Sequence, residues 1–214
     1  MRKSSVNNIL SKAGGLYAGG RGFSLVEMLI AMAVGMVVLG AMYGVFNIQS
    51  KTLSNQEEIV AMQQRVRAGM DMMAREIGMA GYNPAGATFA GVTYDPLQLR
   101  IMADLDGVEG IDASSQENII YTIAPDATTA NPNNKKITRN IGAGAQSFVE
   151  NVQSFTFHYL KSDGNAAATA SADVRQIRIT ITGRTAKPDS SYTPNGGYRT
   201  YTLTSVIAPM NLAF

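Results

Sequence analysis

Hydrophobic positions change their spacing twice along this chain of 214 residues. The first regime is an apolar run from Phe23 to Phe46, FSLVEMLIAMAVGMVVLGAMYGVF, in which Glu27 is the one charge. As a helix it would span roughly 36 Å, enough to cross a hydrocarbon core of about 30 Å with some tilt. The second regime runs from Asn47 to Ala80 and has no Pro. Leu53, Val60, Met62, Val66, Met70, Met73 and Ile77 recur mostly at three- and four-residue steps among Lys, Glu and Arg, which predicts an amphipathic helix. Gly81-Tyr82-Asn83-Pro84 is a stop signal for it. The methionines Met62, Met70, Met73 and Met79 read as adaptable core.

From about residue 85 the period falls to two. Ile177, Ile179 and Ile181 alternate with Arg178, Thr180 and Thr182, and Phe155, Phe157 and Tyr159 do the same, the pattern of strands with one buried face. Strands are expected at 97–102, 118–123, 152–159, 174–182 and 198–207, with a weaker one at 135–141. Strands that follow a long helix without βαβ alternation predict an α+β fold, in which the helix packs on an antiparallel sheet. The expected divisions are a leader at 1–22, a membrane half-helix at 23–46, an amphipathic half-helix at 47–82 and a β domain at 83–214.

Charge is distributed unevenly. Residues 1–22 hold Arg2, Lys3, Lys12 and Arg21 and no acid, leaving 14 basic against 16 acidic residues in the rest of the chain. A weakly acidic body argues against nucleic-acid binding, and a basic leader reads as a cytoplasmic topology signal. The chain has no Cys, so disulfides and thiolate metal sites are excluded. The apolar run is longer than that of an ordinary secretory signal and no small-residue cleavage site follows it.

The string Gly22-Phe23-Ser24-Leu25-Val26-Glu27 resembles the processing motif of type IV prepilins. The resemblance implies cleavage between Gly22 and Phe23 by a prepilin peptidase and N-methylation of Phe23. It also implies an inner-membrane anchor with a cytoplasmic N-terminus, and later assembly with other pilins through an inner-membrane platform. The final location would be a pilus at the cell surface or a periplasmic pseudopilus. Where that family often has a helix-breaking Pro, this chain has Gly44.

Glu27 has a physical reading of its own. A carboxylate in hydrocarbon costs several kcal/mol, so it either protonates or meets a cation. No Lys or Arg follows within the run, but the free amine of Phe23 on a neighbouring subunit would serve and would set axial register. A plain signal anchor with a snorkelling acid near its cytoplasmic end is the simpler alternative. Gly40 and Gly44 form a G-x-x-x-G pair suited to close helix packing, although small residues are common in membrane helices generally.

Residues 63–82 and the stretches 174–186 and 198–207 are similar to PilW-type minor pilins, a group related to J-type pseudopilins of type II secretion. A minor pilin acting in pilus assembly is therefore the expected function, with a J-type pseudopilin as the alternative and a signal-anchored periplasmic enzyme or receptor as a distant third. Catalytic equipment is missing from the sequence: His158 is the only His, on a strand face that reads as surface, and no nucleophile elbow or phosphate loop occurs. No cofactor is expected, with one conditional exception. Asp104, Asp106, Glu109 and Asp112 place four carboxylates on a Gly-bearing loop, the hard-oxygen chemistry calcium takes. The spacing departs from an EF-hand, and a solvated acidic turn is the simpler reading.

Overall fold

The computed structural model describes residues 22–108, 110–112, 116–127 and 133–212. Two compact units divide the chain, Met1–Lys51 and Thr52–Phe214. Helix α1 (Leu25–Met79) supplies the described structure of the first unit, where its apolar side chains are exposed throughout. By length and composition the helix is long and apolar enough to cross a membrane.

The second unit holds the remainder of α1 and a seven-stranded sheet. The strands are β1 (Val92–Thr93), β2 (Leu99–Met102), β3 (Asn118–Pro125), β4 (Lys135–Asn140), β5 (Ala145–Leu160), β6 (Gln176–Arg184) and β7 (Thr200–Ile207). Every strand pairs antiparallel with its neighbour in sequence, giving the order β1 to β7 without a crossover. The helix and sheet thus form the expected α+β fold.

The core lies between one stripe of α1 and one face of the sheet. Val66, Met70, Met73 and Ile77 are buried against Leu99, Ile101, Ile119, Ile137, Val152 and the isoleucines of β6, and Met62 is buried beside Gly183. Each such side chain contributes about 1.5–3 kcal/mol by leaving water. The stripe is shorter than the periodicity predicts: Leu53 and Val60 are 58% and 50% exposed and Met79 is 43% exposed, so burial starts at Met62. At the Glu58 level the contacts are polar, with the Glu58 carboxylate accepting from the Ala186 amide at 3.2 Å.

Two glycines set the helix against the sheet. A Cβ at Gly183 of β6 would collide with Val66 Cγ2, and one at Gly69 of α1 with Val149 Cγ2. Their missing side chains let backbone and side chain approach where any larger residue would force them apart.

β5 is twice as long as expected. Asn151 has φ of 55°, and the β4–β5 and β5–β6 registers shift around it, the signature of a bulge. Val149 and Val152 are both buried across that irregularity, which breaks the two-residue period. β1, only two residues long, was not expected either.

Candidate processing and assembly site

Ser24 is the N-cap of α1. Its Oγ accepts the Glu27 amide at 3.2 Å, and its carbonyl accepts the Met28 amide at 3.1 Å. A Ser at the cap with a Glu three residues later is the capping-box arrangement, and Glu27 in the first turn also faces the positive end of the helix dipole. Gly22 and Phe23 precede the helix in non-helical backbone, and Phe23 is 84% exposed. Gly40 and Gly44 lie inside α1, where an added Cβ at either meets nothing within 4 Å. The leader residues 1–21 lie outside the described residues.

The acidic loop is built differently from its sequence expectation. Asp104 and Asp106 come together with Glu117, carboxylate oxygens of the three lying within 4.8 Å of one another. Asp104 and Glu117 are buried. The loop's own amides take up their charge. Glu117 accepts the amides of Leu105, Asp106 and Asp112 at 2.8, 3.2 and 2.9 Å, and Asp104 accepts those of Gly107 and Ala85 at 2.8 and 3.3 Å. Charge-assisted bonds of this kind stabilise a carboxylate that burial alone would penalise. Asp112 contributes its backbone amide to this arrangement, and Glu109 lies outside the described residues. Glu117 escaped the sequence reading because it sits beyond the run of acids; its signal was its place directly before a strand that returns past the loop.

A second polar cluster joins the helix to the sheet. Arg139 of β4 reaches the Glu76 carboxylate through Nη2 at 2.7 Å and Nε at 3.1 Å, and the Tyr121 hydroxyl donates to the other Glu76 oxygen. Burial pushes the Tyr121 phenol well above its ordinary value, reinforced by the bond to Glu76. Burial would lower Arg139, but its bonds to Glu76 outweigh that and raise it. In sequence Glu76 reads as one more polar spacer on an amphipathic helix.

Residues 19–43 match the family described as the prokaryotic N-terminal methylation motif. The match is confined to this N-terminal segment. A type IV-like pilin from Thermus thermophilus aligns over 71% of this chain and 98% of its own, with 12% identity and a TM-score of 0.40. Comparison with curated proteins returns no match.

The methylation motif therefore encloses Gly22, Phe23, the Ser24 cap, Glu27 and Gly40, while Gly44 falls one residue past its end. Within it the described structure brings Ser24 and Glu27 together. His158 lies on the exposed face of β5, as its strand position predicts.

Proposed function

We propose that this chain is a minor pilin, a structural subunit that takes part in assembling a type IV pilus. The observation that carries it is the methylation motif at 19–43 running directly into an apolar helix of membrane-spanning length. On this reading a prepilin peptidase hydrolyses the Gly22–Phe23 bond on the cytoplasmic side of the inner membrane, and the new Phe23 amine is methylated. The span then leaves the bilayer for a bundle of like helices, through the assembly platform. Glu27, the one charge in the run, pairs there with the Phe23 amine of a neighbour, because a bare carboxylate among apolar helices is costly. Gly40 and Gly44 let those helices approach closely. The role is structural, with the β domain facing outward. Likeness of 63–82, 174–186 and 198–207 to PilW-type proteins supports the minor rather than major class.

Mass spectrometry of the chain from its native membrane tests the reading. The expected product begins at methylated Phe23; an intact Met1, or a cut at any other bond, overturns it.

A further inference from the structure

β5 changes partners along its length. One edge pairs with β4 only as far as Lys135 opposite Val152, and the other pairs with β6 from Val152 to Leu160. At the far end the connection to β6 folds back onto the first edge. There the Ala168 amide donates to the Tyr159 carbonyl and the Lys161 amide to the Ala166 carbonyl, each at 2.9 Å. Between these two closures the edge is open.

Successive residues of a strand direct their amide and carbonyl to opposite edges. Because Tyr159 uses its carbonyl on the edge away from β6, Phe155 and Phe157 present their backbone groups there too. Among the described residues, nothing bonds to the amide or carbonyl of Phe155 or Phe157, or to the amide of Tyr159. A cleft of about 630 Å³ lies along this row. Its apolar lining includes Phe157, Ile123, Tyr94 and Leu97, the last two 40% and 82% exposed. Its charged lining is His158 and Arg178, with no carboxylate among the described residues. Arg178 spends one Nη2 bond on the Gly164 carbonyl at 3.3 Å.

We propose that this cleft binds an extended segment of another protein, in which apolar residues alternate with acidic ones, as an antiparallel strand on β5. The unpaired backbone row calls for a strand, and the exposed Leu97 and Tyr94 for apolar cover. Both closures run antiparallel to β5, so a strand in line with them does as well. About five residues fit between them at ~3.4 Å each. Residues opposite Phe155 and Phe157 bond to them and share their face, and are therefore the apolar set. The residues between them project on the side of His158 and Arg178, where an acid is attracted and a Lys repelled. The cleft lies wholly in the sheet unit and does not rest on the filament role.

The test titrates the full chain in detergent micelles with a fluorescein-labelled peptide, GVEVEVG, read by anisotropy. Saturable binding is expected. Methylating the Val amide nitrogens abolishes it, whereas methylating the Glu amide nitrogens leaves it. The Lys analogue, GVKVKVG, binds about tenfold more weakly or worse, and Arg178→Gln narrows that preference. Hydrogen exchange on the same chain reads the row itself. Without peptide the Phe155 and Phe157 amides exchange fast while those of Thr156 and His158, directed at β6, stay slow; peptide slows the first pair. The proposal is overturned if the Phe155 and Phe157 amides are already protected in the free chain or if peptide leaves their exchange unchanged. It is equally overturned if the two methylated peptides bind alike, or if the Lys analogue matches the Glu peptide.

Discussion

Tyr121 and Arg139 stand directly opposite one another across β3 and β4, and both bond the same carboxylate, that of Glu76 on α1. One strand register thereby determines where the helix is held. Because the Glu76 side chain is only 8% exposed and that of Arg139 15%, removing one partner strands a charge in the interior. Glu76→Ala should cost about 2–4 kcal/mol in urea unfolding, whereas Glu76→Met combined with Arg139→Met should recover much of the loss. If the single and double variants unfold alike, the cluster is not coupled.

The two glycine contacts make a second, steric prediction. Gly183→Ala drives a methyl into Val66 and should destabilise by about 1–3 kcal/mol. Val66→Ala in the same chain frees the space, so the double variant should lie closer to wild type than additivity allows. Thermal unfolding of the four chains completes the cycle.

Acid should weaken the β6–β7 connection. The Ser191 hydroxyl and amide, with Arg199, hold Asp189 down at about 2. A carboxylate depressed in the folded state adds stability that is complete above its ordinary range near pH 4 and fades as pH falls through about 2. Asp189→Asn should therefore flatten the decline in unfolding midpoint over that window and be less stable than wild type at neutral pH. Equal slopes for both chains between pH 4 and 2 would count against this role.

Glu117 organises its loop through three amides, and hydrogen exchange reads those amides individually. Glu117→Gln should speed exchange at Leu105, Asp106 and Asp112 while leaving β6 amides unchanged. Uniform acceleration throughout the domain would show instead that Glu117 supports the whole sheet.

At the other end of the chain, Glu27→Val should insert in the membrane normally but enter filaments poorly. Comparing its abundance in sheared filaments with that in the membrane fraction gives the answer, and wild-type incorporation would remove its register role.

Strand identity was legible wherever alternation was uninterrupted, as at Ile177, Ile179 and Ile181. It failed at Ala145–Asn151 because the left-handed Asn151 shifts the period, and at Val92–Thr93 because two residues carry no period at all. The helix stripe was overread at Leu53 and Val60, since periodicity shows which face is apolar and not where a sheet begins to cover it. Gly22 through Glu27 could be singled out because the six-residue string resembles a known processing motif, while the Ser24 cap within it came only with the structure. Glu76, Tyr121 and Arg139 could not, because they meet only after a helix and two strands have taken their places.

The Ser24 cap bears on what a protease cut at Gly22 would leave behind. Every hydrogen bond described at the start of α1 runs from Ser24 inward, to the amides of Glu27 and Met28. Severing the chain two residues upstream breaks none of them, so the shortened chain keeps a finished helix end. On the proposed reading, removal of the leader therefore leaves the described cap of α1 as it stands, and the helix end needs no new bonds to replace these two.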